Sequence, residues 1–427
     1  MRSKNLSLGL ALILAMFVIA TLMTATPAAA QTEKVLYAFG NNTADGFTLD
    51  GSLVSDSAGR LYGTTSSGGV FGVGMVFELK HTISGGWTER VLYNFKFNGR
   101  DGYAPEANLI FDAAGNLYGT TASGGVHGDG TVFELTPKAG GGWTETVLFN
   151  FNGTNGQFPR SGLIFDAAGN LYGTTSHGGS SYSSGACSVG ITLKGCGAVF
   201  ELRPKAGRWV ERVLHSFNFD GTDGYNPTAS LVFDTHGNLY GTTQGGGANN
   251  WGTVFELSHA GGSWTETLLH SFNNNGTDGA DPSGPLTFDA SGNLYGTTAS
   301  GGVGNGFGTV FELTRASGGS WTETLLYSFQ NNGADGIIPL SGLIFDASGN
   351  LYGTTGDGGA LGFGTAFKLT PATGGGWTET LLHSFGSSND GQYPQASLIF
   401  DAAGNLYSTT NAGGGRCSCG TVFEITP

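Results

Sequence analysis

The chain has 427 residues, with 18 basic against 32 acidic side chains and a net charge of −14. A surface so acidic and so poor in lysine argues against nucleic acids and anionic membranes as partners. The 77 glycines would suit a disordered chain, but 29 phenylalanines, 14 tyrosines and 7 tryptophans supply ample apolar surface for a core.

The first 30 residues have the pattern of a secretory signal peptide. Arg2 and Lys4 give a positive start, residues 6–23 are apolar, and residues 28–30 are all alanine. A membrane anchor is the alternative, but the small-residue exit favours cleavage, and no cysteine follows to carry a lipid. We therefore expect export of residues 31–427, with no membrane span. The mature chain would be secreted, or held in the periplasm or envelope of a bacterium.

A unit of 54 to 68 residues then recurs seven times. Its Leu-Tyr pair begins at Leu61, Leu117, Leu171, Leu239, Leu294, Leu351 and Leu406. Before each pair lies an Asp-x-x-Gly turn; after it come a glycine-rich loop, a Gly-Thr-Val-Phe-Glu-Leu segment and a Trp-Thr-Glu-Thr-Leu-Leu segment. These four short runs of β-forming residues, separated by Gly, Asn, Asp and Pro, predict four antiparallel strands in each unit.

Seven such units predict an all-β fold, a seven-bladed β-propeller of four-stranded antiparallel blades, because radial packing buries both faces of each small sheet. A parallel solenoid is the alternative, but its coils are shorter and lack hairpin turns. The longest regular link runs from Phe95 to Leu109. We expect this link to cross between blades, with Leu-Ile-Phe-Asp at the central channel and the Trp strand outermost.

Two sets of repeated polar side chains, the first of Asp and the second of Asp or Asn, have structural explanations. The first set accepts backbone N–H bonds in the Asp-x-x-Gly turns: Asp56, Asp112, Asp166, Asp234, Asp289, Asp346 and Asp401. The second set stands before glycine in the links, where Asx turns explain it better than calcium loops, whose ligand spacing is absent. Its members are Asp45, Asp101, Asn155, Asp223, Asp278, Asp335 and Asp390. The repeated tyrosine is expected to pack between sheets.

The third unit departs from the repeat by an insertion between Thr175 and Gly197, which contains Cys187 and Cys196. Cys417 and Cys419 lie in the matching loop of the last unit. An even number of cysteines in an exported protein suggests disulfides, here two local bridges. A catalytic redox pair at Cys417 and Cys419 is the alternative. We predict no metal site, no catalytic residues and no cofactor.

Departures from the repeat are also where a specific ligand is expected. His127, His177 and Trp251 fall in equivalent loops, and Tyr182 lies in the insertion. Because these loops share one face, we predict that the four side chains form a ligand-binding region.

The two ends of the mature chain are predicted to pair. Thr32–Phe39 resembles Thr378–Phe385, the fourth strand of a unit, whereas residues 420–425 form only the third strand of the last unit. The N-terminal strand therefore completes the last sheet, closes the ring and removes two open sheet edges.

Taken together, Leu-Ile-Phe-Asp-Ala-Ala-Gly-Asn-Leu-Tyr-Gly-Thr-Thr, Gly-Thr-Val-Phe-Glu-Leu and Trp-Thr-Glu-Thr-Leu-Leu-His-Ser-Phe resemble the GloVer tandem repeat over residues 32–427. The chain is similar to the choice-of-anchor tandem repeat GloVer-containing exported bacterial proteins. That resemblance implies export and often a C-terminal sorting segment, a pattern absent before Pro427. It implies no established activity or catalytic residues.

Two functions fit these observations. The first is a monomeric, non-catalytic binding propeller whose ligand is a glycan or a cell-surface protein. The second is a hydrolase or lyase acting on polysaccharide at the channel mouth. Glycosidase chemistry needs two carboxylates in different environments, and here the carboxylates repeat with the blades, so binding is favoured.

Overall fold

The computed structural model describes residues 32–40, 44–184, 187, 193–304, 306–386, 389–415 and 417–427. The signal segment expected at residues 1–30, and part of the insertion in the third unit, lie outside the described residues. The rest is a ring of seven four-stranded antiparallel sheets, so the predicted seven-bladed β-propeller is confirmed. Within the described ranges, no helix has the length and apolar character needed to cross a membrane.

In blades 1 to 6 the four strands follow one another along the chain, and in blade 7 the fourth strand comes from the N-terminus. The first strands are Val54–Ser55, Ile110–Phe111, Ile164–Phe165, Val232–Phe233, Thr287–Phe288, Ile344–Phe345 and Ile399–Phe400. The second strands are Leu61–Thr65, Leu117–Thr121, Leu171–Thr175, Leu239–Thr243, Leu294–Thr298, Leu351–Thr355 and Leu406–Thr410. The third strands are Met75–His81, Thr131–Pro137, Ala198–Lys205, Thr253–Ala260, Thr309–Arg315, Thr365–Pro371 and Thr421–Thr426. The fourth strands are Trp87–Asn94, Trp143–Asn150, Arg208–Ser216, Ser263–Ser271, Trp321–Ser328, Trp377–Ser384 and, for blade 7, Thr32–Ala38.

A smaller sheet of two short strands joins the link entering a blade to the glycine-rich loop after that blade's second strand. The pairs are Gly46–Phe47 with Ser67–Gly68, Gly102–Tyr103 with Ser123–Gly124, Gly224–Tyr225 with Gly245–Gly246, Gly279–Ala280 with Ser300–Gly301, Gly336–Ile337 with Asp357–Gly358, and Gly391–Gln392 with Ala412–Gly413. In blade 3 the pair is reduced to a single bridge between Gln157 and His177, and a 3-10 helix follows at Ser180–Ser184. Links and loops therefore meet at one face of the ring.

The turn between the first and second strands has the chemistry expected from its sequence. Asp112 Oδ1 accepts the N–H groups of Ala114 and Asn116 at 2.9 and 2.8 Å, and Gly115 has a φ of 85°. Burial by itself raises the pKa of Asp112, but the hydrogen bonds outweigh burial, so its pKa lies below the usual value. The same bonds recur at the other six turns, and these aspartates are structural.

The repeated tyrosine packs between blades, as expected. Tyr118 is 6% exposed, and its ring meets the edges of Phe165 and Trp209 in the next blade at centroid distances of 5.1 and 6.5 Å. Its hydroxyl lies 3.2 Å from Asp112 Oδ2 and 2.9 Å from Glu134 Oε1. Each tyrosine thus covers an apolar interface while its hydroxyl is paired with the Asp of the turn.

In six of the seven blades the core includes a close approach at the glycine of the second strand, which in blade 7 is replaced by Ser408. Phe133 is fully buried and meets Phe95 of the preceding blade at 5.1 Å. A Cβ atom placed on Gly119 would lie 2.7 Å from the Phe133 ring and 2.9 Å from Leu109. The glycine of Leu-Tyr-Gly-Thr-Thr therefore makes room for the phenylalanine of the third strand.

The predicted ring closure is confirmed. Thr32–Ala38 pairs with Thr421–Thr426 in antiparallel register, with Val35 opposite Phe423. A bulge between Val35 and Tyr37 matches the one between third and fourth strands in every other blade. The N-terminal strand thus occupies the position of a fourth strand, with the Trp-bearing strands outermost as expected.

The inner end of each blade differs in detail from the expectation. The first strand has only two residues, and the narrow channel is lined chiefly by the tripeptides that precede Leu-Ile-Phe-Asp, not by that motif. The tripeptides belong to residues 50–52, 106–108, 160–162, 228–230, 283–285, 340–342 and 395–397. Because a proline stands before six of them, the chain reaches the channel as a link rather than as a strand.

Candidate functional site

Each link is fixed at the channel by one residue in the left-handed region of backbone conformation. Ala104 has a φ of 54°; its N–H donates to Val73 O of the preceding blade at 3.0 Å, and its carbonyl accepts the Ala122 N–H of its own blade at 2.9 Å. The equivalents are Thr48, Phe158, Asn226, Asp281, Ile338 and Tyr393. Since all seven share this strained conformation, it serves the architecture, holding each link between two blades.

Two residues further on, every link contributes one side chain to a cavity of about 510 Å³ at the mouth of the channel. We call this cavity the channel mouth. Its seven ring residues are Asp50, Glu106, Arg160, Thr228, Ser283, Leu340 and Gln395. The links and the loops after the second strands lie at this end, since Thr48, Ser66 and Gln244 also line it.

The charged ring residues come from three consecutive blades. Arg160 Nε lies 2.7 Å from Glu106 Oε2, and the guanidinium lies 4.5 Å from the centre of the Phe158 ring. Asp50 accepts hydrogen bonds from Ser66 Oγ at 2.9 Å and from Asn411 Nδ2 at 2.6 Å. One arc of the mouth is therefore charged, with its donors and acceptors already oriented.

Both carboxyls of this arc sit where ionisation is disfavoured. Burial raises the pKa of Glu106, although the charge of Arg160 opposes the rise. Burial likewise raises the pKa of Asp50, against the effects of Ser66, Arg160 and Asn411. Two carboxyls of adjacent blades thus lie beside one guanidinium.

The opposite arc is uncharged and bears hydrogen-bonding side chains. Gln244 Nε2 donates to Ser283 Oγ at 2.9 Å, and Gln244 Oε1 accepts a hydrogen bond from Asn226 Nδ2. Thr228 and Gln395 extend this arc on either side. The mouth therefore offers hydroxyl and amide groups across from the ion pair.

His177, one of the four predicted ligand-binding residues, is an internal side chain. It is 8% exposed, its Nδ1 lies 3.0 Å from Ser176 Oγ, and its backbone pairs with Gln157. Burial, helped by the charge of Arg160, lowers the pKa of His177 to about 4. His177 is thus a neutral residue beneath the charged arc.

The other three predicted residues are spread over successive loops. Tyr182 is half-buried, and its ring lies so close to Gly153 that any side chain at position 153 would collide with it. His127 is exposed. Trp251 is 39% exposed, and its carbonyl accepts the Asp281 N–H at 2.9 Å. Trp251 and His177 therefore adjoin links that end at the channel mouth, while Tyr182 holds the insertion against the ring.

The four cysteines form two bridges in the structure, one joining Cys187 to Cys196 and the other joining Cys417 to Cys419. The first closes the second half of the insertion. Cys196 is buried, and its N–H donates to Ser181 Oγ at 2.8 Å. Both bonds lie within the insertion, and the Ser180 N–H connects it to blade 3 by donating to Ser216 Oγ at 3.1 Å.

The ring residues of the channel mouth were missed by sequence reasoning, although the sequence contains a signal for them. When the seven links are aligned on their Asp-Gly or Asn-Gly, the position five residues after the Asp or Asn holds Asp, Glu, Arg, Thr, Ser, Leu and Gln in turn. The position three residues after the Asp or Asn is equally varied, so variety marks two positions that packing does not dictate, and the structure places the second of them at the channel mouth.

Comparison with known proteins agrees with this architecture. No curated protein matches the chain. Similar solved structures include a candidate 6-phosphogluconolactonase from Bacteroides uniformis ATCC 8492, with a TM-score of 0.50 and 13% identity over 82% of this chain and 95% of that one. Another is a luciferin-regenerating enzyme, with a TM-score of 0.42 and 13% identity over 93% and 95%. A third is PorZ, a surface component of the type-IX secretion system of Porphyromonas gingivalis, with a TM-score of 0.49 and 15% identity over 92% of this chain and 48% of that one.

At 13% identity the similarity to the 6-phosphogluconolactonase concerns the fold alone. The other two structures have TM-scores below 0.5, and no conclusion is drawn from them. The family model described as the Gloeobacter/Verrucomicrobia repeat matches residues 19–188 and 184–423, which together cover most of the chain. The chain therefore belongs to the Gloeobacter/Verrucomicrobia repeat family.

Proposed function

We propose that this protein is an exported, non-catalytic binding propeller that holds a polyhydroxylated ligand, a glycan, at the channel mouth. One observation carries the proposal. The position five residues after the Asp or Asn of each link holds seven different residues, and their side chains surround a single cavity. The turn aspartates and the packing tyrosines, in contrast, are the same in every blade.

The chemistry of the mouth favours a sugar over a strongly charged or apolar ligand. Asp50, Glu106 and Arg160 leave a net charge of only −1 when ionised, so neither a polyanion nor a polycation is strongly attracted. Six of the seven ring side chains, all except Leu340, can donate or accept hydrogen bonds, which suits hydroxyl groups that do both. A cavity of about 510 Å³ is within the size range of small-ligand sites.

The loops beside the mouth extend this proposed site. Trp251 presents an exposed indole next to the link that supplies Ser283, and an aromatic face stacks well on a sugar ring. His127 is exposed on the corresponding loop of blade 2. The proposed site therefore places a polar ring at the bottom and Trp251 at the rim.

Export is part of the same proposal. The signal pattern of residues 1–30, the two disulfides and the family match support a location outside the bacterial cytoplasm. N-terminal sequencing of the protein from culture medium and periplasm should give Gln31 as the first residue. Intact Met1 in the exported fraction would contradict cleavage at this site.

The binding proposal is tested by screening the mature chain on a glycan array and measuring hits by calorimetry. Arg160→Gln should weaken a confirmed hit about tenfold or more, because it removes a charged donor and the partner of Glu106. Arg315→Gln makes the same change beside Trp321 on the opposite face and should leave the affinity unchanged. Equal affinities for the parent and Arg160→Gln would refute the location.

A second candidate function is hydrolysis or elimination on a polysaccharide. It is favoured by Asp50 and Glu106, two carboxyls of raised pKa that stand next to each other in the ring, with Arg160 beside Glu106. Incubation of the protein with each glycan that it binds, followed by chromatography of the products, separates the two functions. The protein is an enzyme if it degrades the glycan and if Asp50→Asn and Glu106→Gln abolish this turnover while the variants still bind. A glycan that stays unaltered supports a binding role.

A further inference from the structure

The outer ends of adjacent blades are joined by a repeated group of three side chains, which we call the junction cluster. It contains a residue of one fourth strand, the Asp or Asn of the following link, and the Glu of the next fourth strand. In order, the clusters are Tyr37–Asp45–Glu89, Tyr93–Asp101–Glu145, Phe149–Asn155–Glu211, His215–Asp223–Glu266, His270–Asp278–Glu323, Tyr327–Asp335–Glu379 and His383–Asp390–Glu33.

The first member of the cluster differs between blades while the geometry stays the same. In three clusters a tyrosine hydroxyl donates to the aspartate over 2.8 to 3.2 Å. In three others a histidine Nε2 lies at 2.9 to 3.2 Å from the aspartate. Tyrosine can only complete a hydrogen bond here, whereas histidine adds a nitrogen that can bind a metal ion.

Two of the histidine clusters also bring the glutamate into range. Among the described residues, the groups of metal-binding side chains whose ligand atoms all lie within 4.8 Å of one another are His215–Asp223–Glu266 and His383–Asp390–Glu33. His215 Nε2 is 4.0 Å from Glu266 Oε2. Ligands of a tetrahedral zinc ion, with bonds of about 2.1 Å, lie about 3.4 Å apart, so small side-chain movements suffice.

The aspartates of both clusters are buried and held in position by the backbone. The Asp223 side chain is 8% exposed, and it accepts N–H bonds from Gly224 at 2.7 Å and Asn218 at 2.9 Å. The Asp390 side chain is 5% exposed and accepts the Gly391 N–H at 2.7 Å. These second contacts orient the carboxylates as the outer partners of metal ligands do.

The remaining ligands complete a three-sided site that stays open to water. The His215 and His383 side chains are 20% and 24% exposed, which leaves access for an ion and a water molecule. Oε1 of Glu33 and Oε1 of Glu266 are buried without a hydrogen-bond partner. One imidazole and two carboxylates suit a transition ion such as Zn²⁺ better than Ca²⁺ or Mg²⁺, which prefer oxygen ligands alone.

We propose that His215–Asp223–Glu266 and His383–Asp390–Glu33 each bind one divalent transition-metal ion of the zinc class. Each ion joins two neighbouring blades, blades 3 and 4 at the first cluster and blades 6 and 7 at the second. Glu33 lies on the N-terminal strand that closes the ring. The second ion therefore fastens the closing strand to blade 6, in addition to its pairing within blade 7.

The test uses the mature protein after treatment with EDTA. It is dialysed with ZnCl₂, then against metal-free buffer, and bound zinc is counted by mass spectrometry. His215→Tyr and His383→Tyr are matched variants, because tyrosine occupies this position in three other clusters and keeps the hydrogen bond to aspartate. The parent should retain two ions, each variant one and the double variant none, with all melting temperatures in EDTA close to that of the parent.

His270→Tyr is the control, because it makes the same change in a cluster whose three ligand atoms are further apart. It should retain both ions. Titration with Co²⁺ should give absorption bands of a site with nitrogen and oxygen ligands in the parent and not in the double variant. Three results would each overturn the assignment: no zinc retained by the parent, zinc retained by the double variant, or the loss of an ion in His270→Tyr. If the parent retains no zinc, the histidines serve only as hydrogen-bond partners of aspartate.

Discussion

Glu211 provides a direct test of how these blade junctions respond to pH. Its cluster contains Phe149 and Asn155 in place of the possible ligands, so a metal ion does not enter the interpretation. Oε1 of Glu211 is buried without a hydrogen-bond partner, and burial raises the pKa of Glu211 to about 7 from 4.5. Replacement by glutamine keeps the shape of the side chain and removes the titration.

The expected sign follows from linkage between protonation and folding. Because the folded state holds the Glu211 proton more tightly than the unfolded state, this stabilising contribution is complete below pH 4.5 and is lost as the pH rises through 7. The upper limit is about 3.4 kcal/mol, from 2.5 pKa units at about 1.36 kcal/mol each. Since the side chain keeps contact with water, we reduce this to about 1 kcal/mol.

Glu211→Gln should therefore match the parent at pH 4.5 and exceed its stability by about 1 kcal/mol at pH 8, a rise of about 1–2 °C in Tm for a chain of this size. Differential scanning calorimetry at both pH values measures the difference. Glu145→Gln should gain a similar amount at pH 8, because burial and the charge of Asp101, opposed by Lys96, also raise the pKa of Glu145 to about 7. A variant that is less stable than the parent at pH 8, or a difference independent of pH, would refute the reasoning.

Three further predictions concern closure, turns and the loop face. Deleting residues 32–39 should expose the edge of Thr421–Thr426 and cause aggregation or a large fall in Tm. A segment added before residue 31 should leave Tm unchanged. Equal melting curves for the deletion variant and the parent would contradict ring closure. Asp289→Ala should lower the free energy of unfolding by about 1–2 kcal/mol, because the N–H groups of Ser291 and Asn293 lose their acceptor. Denaturant titration measures this loss. An unchanged denaturation midpoint would contradict the structural role of Asp289. Trp251→Ala should leave Tm unchanged and weaken the affinity for a confirmed glycan in calorimetry, and an unchanged affinity would remove Trp251 from the site.

The fold was predictable because every local feature of the repeat agrees with it. The turn at Asp112 specifies a hairpin, and seven hairpin-bearing units leave few arrangements that bury all the aromatic side chains. The small two-stranded sheets between links and glycine-rich loops were not predictable. Gly102–Tyr103 and Ser123–Gly124 are held by main-chain bonds between glycine-rich segments, which show no alternation of polar and apolar residues.

The candidate site was harder to predict because it is assembled from the whole ring. Glu106 and Arg160 are 54 residues apart in sequence, and each follows a proline in an unremarkable link. Their ion pair becomes apparent once the ring places successive links side by side. The burial of His177 was likewise not predictable. Its polar neighbours in the sequence give no sign of burial, whereas its backbone bridge to Gln157 draws it inside.

Function and folding can be separated in this ring because each blade repeats the same backbone with different side chains. At the inner end, Arg160 and Thr228 occupy equivalent positions on neighbouring links, each fixed by the same pair of backbone hydrogen bonds two residues earlier. At the outer end, Tyr93 and His383 make equivalent contacts with an aspartate. A fold that accepts either residue at such a position does not depend on that side chain for its stability. Selection at these positions is then free to act on what the side chain binds, and so the proposed ligand ring and the proposed metal sites require no change to the blades.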